Sequence, residues 1–356
     1  MSAPEDNWMR SDLLPWISTL AWILGILLIL MLLVSAPFGA AIEGFFQGAF
    51  GGRRYAFLMQ TLSRASLIVG MALSVMLSFR AGLFNIGGEG QLVAGGLVSA
   101  LVALALPGPP LLVIAASILA GMAAGAAWAL LAGVLYLYVG VPLLVGSLLL
   151  NFPIRSVASY LVAHPFRDVP SGMLQSHLVP TERWLPYFPG LRLDIGILFI
   201  VLVSVLAVVY SHKTLHGYRA RLNGLSPDFA RAVGLPVARL TLQTLAMSGA
   251  IAGLVGAIAV LGVHHRFIDG MLVQPLYAWT GIVAVLLVGM IPWLVPFSGF
   301  FFAALQTGAA GMERAAQVPK EIALVMQAVI ILFVASRMSL SLASPRGKDK
   351  GADGDA

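Results

Sequence analysis

Long, uninterrupted runs of apolar residues are the feature that most constrains how this chain can fold. One run extends over residues 14–36, and similar runs return along most of the chain, so that 59% of the 356 residues are hydrophobic and only 10% are charged. An average soluble domain has about 25% charged residues, and a soluble core could not absorb this much apolar surface. The mean hydropathy of +0.93 therefore excludes a disordered chain, a soluble enzyme and an ordinary nucleic-acid-binding protein. It indicates that lipid surrounds most of the molecule.

A membrane-spanning helix needs about 20 apolar residues, and the chain is long enough for about ten. The alternating pattern of a barrel strand is absent, so every run is predicted to be helical. The predicted fold class is an all-α integral membrane protein with about ten transmembrane helices in one domain, residues 14–337. The predicted spans are 14–36, 57–79, 91–106, 111–138, 144–162, 194–211, 241–262, 276–291, 295–311 and 321–337.

Basic residues outside the spans predict the orientation, because cytoplasmic loops carry an excess of Lys and Arg. With the N-terminus inside, the two most basic short segments, 212–240 and the tail after 337, both fall inside. The prediction is N-in and C-in, with 1–13 as a cytoplasmic N-terminus and 338–356 as a disordered cytoplasmic tail. The polar loop 163–193 then lies outside. The net charge of +6 is explained as a topology signal, and no nucleic-acid partner is predicted.

The segment between the second and third spans combines four glycines with several polar side chains. Such glycine density disfavours a continuous helix, and non-helical backbone at membrane depth needs cover from protein or a water-filled cavity. Asn85, Glu89 and Gln91 are therefore predicted to face the interior of the bundle. A buried Glu89 would need a positive partner, such as Arg80 or Arg64. A solvated loop that merely turns the chain at the membrane surface fits the composition equally well.

The basic loop 212–240 contains the signals that start and stop a short helix. Ser226 is a predicted N-cap, Pro227 takes the first helical position, and Asp228 interacts favourably with the helix dipole. Gly234 is predicted to end the helix. A helix of about two turns is not stable alone, so it is predicted to dock onto a partner. A basic loop that only meets lipid head groups is the alternative.

An interruption within the fifth predicted span is formed by Asn151, Phe152, Pro153 and Arg155. A proline and an arginine inside a span predict a kink that faces protein. An Arg155 that snorkels to the membrane interface is an equal alternative.

No catalytic or metal site is predicted. His264 and His265 are adjacent and point to different faces of a helix, so they do not form a two-ligand metal site. The chain has no cysteine, which excludes disulfides, thiol catalysis and cysteine-bound metals. No nucleophile, base and oxyanion hole can be assembled from its motifs.

The segment Gly82–Gln91 reads Gly-Leu-Phe-Asn-Ile-Gly-Gly-Glu-Gly-Gln. It resembles the GLFNIG-x-EGQ signature of ABC importer permeases for nucleosides and simple sugars, which belong to the wider branched-chain amino acid and ribose permease superfamily. Residues 231–235, 248–257 and 262–270 fit the same family in order and spacing. The likeness extends from about residue 60 to 336.

This resemblance implies a permease subunit of an ATP-driven importer in the bacterial inner (plasma) membrane. Such a subunit moves nucleosides, guanosine among them, or related simple sugars by alternating access. The implied partners are a second permease subunit of a different chain, two ABC ATPase subunits that bind ATP and Mg, and an external solute-binding protein. The chain would be no enzyme and would have no cofactor of its own. Gly88 stands where alanine is usual in the signature, a small change.

The resemblance also implies roles for individual segments. The external loops 163–193 and 264–276 would receive the binding protein. Residues 223–235 would be the coupling helix that fits a groove in the ATPase, and the residues assigned to this coupling are Asn223, Gly224, Leu225, Ser226, Pro227, Asp228, Ala230, Arg231 and Gly234. The residues assigned to the translocation path are Phe84, Asn85, Glu89, Gln91 and Asn151.

A stand-alone secondary transporter driven by protons or sodium is the main alternative. Glu89, Arg64 and Arg155 lie within the hydrophobic pattern, as the charged residues of ion-coupled transporters do. A membrane-embedded enzyme or scaffold is a third hypothesis.

Overall fold

A computed structural model of the chain describes residues 38–52 and 55–317, with a few isolated positions between 319 and 328. Within these residues the structure is helical, and its loops contain only isolated β-bridges. The α-helices are α1 (Phe38–Phe50), α2 (Ala56–Arg80), α3 (Gly88–Ala105), α4 (Pro110–Val134), α5 (Leu143–Leu149), α6 (Asn151–Ala163), α7 (Gly196–Lys213), α8 (Leu215–Leu225), α9 (Pro227–Ala232), α10 (Val237–Ile258), α11 (Tyr277–Leu287) and α12 (Val295–Ala316). π-helical turns extend α4 through Leu135–Val139 and α10 through Ala259–His264.

Seven helical segments of the described residues are long and apolar enough to cross a membrane. They coincide with seven of the predicted spans, so the all-helical membrane class is confirmed. The predicted span 276–291 contains only the 11-residue helix α11, because the chain turns again directly after Leu287. The predicted spans 14–36 and 321–337 lie outside the described residues, apart from isolated positions in the second. The count of ten and the N-in, C-in orientation stay predictions.

Three central helices, α3, α4 and α10, pack backbone against backbone through glycine. A Cβ atom added to Gly125 of α4 would lie 2.8 Å from the Cα of Gly253 in α10. A Cβ added to Gly121 would lie 2.9 Å from the carbonyl oxygen of Gly95 in α3. Lipid tails are as apolar as leucine, so membrane helices associate through such close packing rather than through the hydrophobic effect. Any larger residue at these positions would force the helices apart.

Helix α1 is absent from the predicted spans and follows the same packing rule. Its 13 residues are too few to cross a membrane. It packs against α12, where a Cβ added to Gly311 would lie 2.6 Å from the Cα of Gly48. Helix α1 was not predicted because it has no long apolar run. Its packing depends on Gly48 of α1 and Gly311 of α12, which are far apart in sequence.

The helices differ in what they present to their surroundings. Helices α2, α3 and α10 are mostly buried, whereas α7 exposes most of its length. Before its last turn, where His212 and Lys213 are exposed, the exposed side chains of α7 are apolar: Leu198, Val201, Leu202, Val205, Leu206 and Val209. This face is suited to lipid.

Replacing Gly253 by alanine tests the glycine packing. We expect Gly253→Ala to destabilise the protein by about 1–3 kcal/mol, as overpacking does, and to lower the midpoint of thermal unfolding in detergent. Gly88→Ala is the matched control, because its Cβ would meet the flexible end of Met71 at 3.1 Å and otherwise make an ordinary contact with Ala278 at 3.8 Å. Equal midpoints for the two variants would contradict backbone packing at Gly253.

Candidate functional site

The first candidate segment is a tight turn between α2 and α3. Helix α2 ends at Arg80, and Gly82 follows with φ +72°, a left-handed conformation that favours glycine. The amide of Leu83 then donates a hydrogen bond of 2.9 Å to the carbonyl of Ser78. The turn therefore closes the end of α2 and directs the chain back into the bundle.

Two amide side chains hold this turn from inside. Gln91 Nε2 donates to Asn85 Oδ1 at 3.1 Å, and Asn85 Nδ2 donates to Gln91 Oε1 at 3.4 Å. Asn85 also donates to Ser248 Oγ of α10 at 3.4 Å and accepts from the amide of Gly87 at 3.0 Å. Both amides are almost fully buried. The predicted interior position is confirmed, and the solvated-loop alternative is wrong.

Asn151 of α6 fastens the start of α3. Its Oδ1 accepts a hydrogen bond of 2.8 Å from the amide of Gly90, and its Nδ2 donates to the carbonyl of Ile86 at 3.3 Å. The amides of the first turn of a helix have no partner within the helix, so Asn151 acts as a cap from a distant segment. The predicted interruption of the fifth span is the break between α5 and α6, directly before Asn151.

Three serines that the sequence motifs do not reveal, Ser147, Ser248 and Ser74, take part in this network. Ser147 Oγ of α5 accepts a hydrogen bond of 3.1 Å from the amide of Ile86. Ser248 Oγ lies 3.1 Å from Ser74 Oγ of α2, and the carbonyl of Ser248 accepts from Ser74 at 2.8 Å. A single serine within an apolar run carries no local signal, so only the assembled bundle reveals these contacts.

Glu89 forms an ion pair with Arg155 of α6. Arg155 Nη1 lies 3.3 Å from Glu89 Oε1, and the exposed fractions of the two side chains are 45% and 8%. A buried carboxylate is costly unless it is paired. The pair supports the interpretation of Arg155 as facing protein rather than snorkelling.

The predicted partners of Glu89, Arg80 and Arg64, are wrong. Arg80 Nη1 donates to the carbonyl of Met290 at 2.9 Å, and Arg64 Nη1 donates to Gln306 Oε1 at 3.3 Å. Both arginines belong to α2, whereas α6 packs directly against α3. Arg155 is farther from Glu89 in sequence than Arg80 or Arg64 is.

Phe84 differs from the other residues assigned to the translocation path. Its side chain is 54% exposed, and its ring lies 5.2 Å from that of Phe79, centroid to centroid. The structure thus brings Asn85, Glu89, Gln91 and Asn151 together in the interior and leaves Phe84 facing outward. That these residues line a path stays a prediction.

The second candidate segment contains the short helix α9 with the expected ends. Ser226 Oγ accepts a hydrogen bond of 3.3 Å from the amide of Phe229, as an N-cap does. Asp228 Oδ1, in the first turn of α9, lies 2.6 Å from Arg231 Nη1 in its last turn. Gly234 has φ +79° and ends the segment in the left-handed conformation.

Residues 223–235 do not form one helix, so that part of the prediction needs correction. Asn223, Gly224 and Leu225 end helix α8, and the chain bends at Ser226 before α9 begins. A Cβ added to Gly224 would lie 2.6 Å from the carbonyl oxygen of Arg80. Helix α8 therefore packs against the turn that follows α2, and this contact joins the two candidate segments.

An apolar face of the second segment is exposed. Leu225, Phe229 and Val233 are 74%, 53% and 50% exposed. Phe229 and Val233 are four residues apart, on α9 and directly after it, so they lie close to one face, and Leu225 precedes them at the end of α8. Ala230 is buried against the rest of the protein. Clustered apolar side chains beside charged ones are typical of an interaction surface.

His265, directly after the π-helical end of α10, contacts Trp184 and Tyr187 of the loop 163–193. Its ring stacks on Trp184 with a centroid distance of 3.6 Å, and its Nε2 lies 3.0 Å from the hydroxyl of Tyr187. Burial lowers the pKa of His265, while a hydrogen bond to the Leu261 carbonyl acts in the opposite direction. Among the described residues, no three metal-binding side chains cluster.

Seven apolar helices of spanning length, with apolar side chains on their exposed faces and a polar turn buried between them, are typical of a multi-pass membrane protein. Residues 57–335 match the family described as branched-chain amino acid transport system / permease component. The chain belongs to this family.

Three similar proteins are named as permease proteins of ABC transporters. The chain is 27% identical to the nucleoside ABC transporter permease protein NupB of Lactococcus lactis subsp. cremoris over 96% of each chain. It is 26% identical to the guanosine ABC transporter permease protein NupP of Bacillus subtilis, over 91% of this chain and 93% of that one. It is 32% identical to the glucose ABC transporter permease protein TsgB13 of Haloferax volcanii, over 84% and 83%. The resemblance to ABC permeases is confirmed, and the chain is a transport component rather than an enzyme.

Removing one member of the Glu89–Arg155 pair tests its place in the fold. We expect Arg155→Gln to destabilise the protein by about 1–3 kcal/mol, because it leaves a buried carboxylate without its partner. The double variant Glu89→Gln, Arg155→Gln should recover part of this loss, since both charges are then gone. Thermal unfolding of the wild type, of Arg155→Gln, of Glu89→Gln and of the double variant measures the coupling energy between the two side chains. Strictly additive effects would contradict the ion pair.

Proposed function

We propose that this chain moves nucleosides, or related simple sugars, across the bacterial inner membrane as the permease subunit of an ATP-driven importer. Helix α9 carries the proposal: it is capped at both ends, exposes apolar side chains, and follows directly after a helix that touches the polar turn. A six-residue helix is not stable by itself. An exposed apolar face on so short a helix is best explained by a partner.

The proposed partner of α9 is an ABC ATPase that binds ATP and Mg, so the chain needs no cofactor of its own. Leu225, Phe229 and Val233 would enter a groove of that subunit. When ATP binding closes the ATPase pair, α9 and α8 would move together. Because Gly224 lies against the turn after Arg80, this movement would reach the start of α3.

The proposed response of the bundle is alternating access. Helices α3, α4 and α10 are joined through glycine and would move as one body, carrying Asn85, Glu89, Gln91 and Asn151 with them. With the N-terminus and C-terminus inside, α9 meets the ATPase at the cytoplasmic face. Loops 163–193 and 264–276 then face a solute-binding protein outside. A second permease subunit would complete the path.

Uptake by the reconstituted importer tests the proposal. The chain, its partner permease, the ATPase and the binding protein are placed in liposomes, and uptake of a labelled nucleoside and sugar panel is measured. We expect uptake that requires ATP and stops with a catalytically inactive ATPase. Uptake that persists with the inactive ATPase would contradict the proposal. Uptake by this chain alone that collapses with an ionophore would identify a secondary transporter instead.

A left-handed glycine on each of two loops offers a matched test of ATPase docking. Gly234 and Gly172 have φ of +79° and +68°, and a Cβ added to either meets no atom within 4 Å. A β-branched residue costs about 1–2 kcal/mol in this conformation. We expect Gly234→Val to deform the end of α9 and lower the amount of ATPase that copurifies from membranes. Gly172→Val, which carries the same strain in the proposed external loop, should leave copurification unchanged. An equal effect of both variants would contradict docking through α9.

A further inference from the structure

A cavity of about 280 Å³ lies between α6, α3 and the loop 267–274. Its polar lining comes from Arg155, Asp269 and Gln274, and its apolar lining includes Val93. We propose that this cavity is a substrate subsite that binds the hydroxylated ring of the transported solute. The proposal rests on the proposed function and names a site for it.

The polar groups of the cavity are held in position by their neighbours. Ser159 Oγ donates to Asp269 Oδ2 at 3.1 Å, which orients the carboxylate. Arg155 uses Nη1 for Glu89, and a guanidinium group has five N–H donors in total. Arg155 therefore has donors left for a ligand, and Glu89 acts as the residue that positions it.

The chemistry of the lining favours a neutral, hydroxylated solute. Asp269 accepts hydrogen bonds, Arg155 donates them, and Gln274 does both. Two neighbouring hydroxyl groups of a solute could bind here together, because one can donate a hydrogen bond to the carboxylate while the other accepts one from the guanidinium group. For an anion or a cation one of these two groups is attractive and the other repulsive, whereas neutral hydroxyl groups can form hydrogen bonds to both. Nucleosides and simple sugars share this arrangement of ring hydroxyls.

The position of the cavity supports a place on the translocation path. The exposed side of α6 is mixed: it carries Arg155 and Ser156 together with the apolar side chains of Phe152, Val157 and Tyr160. Charged and hydroxyl groups within a span avoid lipid and face protein or water-filled cavities. The cavity lies beside the one charged residue of α6, Arg155, which also pairs with Glu89 of the predicted path.

The size of the cavity limits what it can hold. Pockets for drug-sized ligands are about 300–1,000 Å³, so 280 Å³ suits one ring rather than a whole nucleoside with room to spare. Val93 and Phe267 supply apolar surface against which the carbon face of a sugar ring can pack. The remainder of the solute would extend toward the second permease subunit.

The test compares two solutes in the reconstituted importer. One is the nucleoside that the wild type takes up best, and the other is its 2′,3′-dideoxy analogue. Asp269→Asn keeps an acceptor for Ser159 and removes the charge. We expect it to raise the KM of the parent nucleoside about tenfold, the size of a lost charged hydrogen bond, and to leave the KM of the analogue unchanged. Copurification of the ATPase checks that the variant assembles.

Two further variants make the comparison decisive. Gln274→Ala, an exposed loop substitution, should shift the ratio of the two KM values in the same direction. Glu182→Gln removes an exposed acidic group elsewhere in the proposed external loop and should leave that ratio unchanged. A wild-type ratio in both Asp269→Asn and Gln274→Ala would overturn the subsite while leaving the proposed function intact. Absence of ATP-dependent uptake by the wild type would overturn the proposed function and the subsite with it.

Discussion

The close approach of α3, α4 and α10 through glycine is the constraint on which the rest of the structure depends. In lipid, apolar side chains gain little by leaving their solvent, so helices are held by packing and by hydrogen bonds. Gly253 contacts Gly121 and Gly125 of α4 as well as Gly95 of α3, and a larger residue would overpack this junction. The position of α3 is fixed by it. Because α3 begins at the polar turn, the geometry of that turn follows from the same contacts.

The polar turn depends on hydrogen-bond partners from four helices, α3, α5, α6 and α10. Asn85 and Gln91 bind each other, Asn151 caps α3, and Ser248 completes the amide network. Buried polar groups are costly when one partner is missing and specific when all are present. A small displacement of α3 would break several of these hydrogen bonds at once. The hydrogen bonds therefore hold the turn in one arrangement rather than allowing it to deform continuously.

Local patterns predicted the parts of this structure that depend on neighbours in sequence. Ser226, Asp228 and Gly234 lie within nine residues, so the ends of α9 could be predicted from capping rules alone. The burial of Asn85 followed from the need to cover irregular backbone within the membrane. The pairing of Glu89 with Arg155 could not be predicted, because it depends on how α6 packs against α3. The contact of Gly224 with the turn after Arg80 is likewise a property of the assembled bundle.

The absence of cysteine from the sequence allows the most direct test of the central claim, that α9 is the element through which an ATPase drives this permease. A single cysteine at Phe229, introduced into the chain in membranes that contain its partner ATPase, is treated with a bifunctional maleimide. The account predicts a cross-linked species that contains this chain and the ATPase, and protection of the cysteine from a membrane-impermeant maleimide added outside. A cysteine at Gly172 should be labelled by the maleimide added outside and should form no cross-link to the ATPase. Labelling of Phe229→Cys from outside, with no cross-link to the ATPase, would contradict the account.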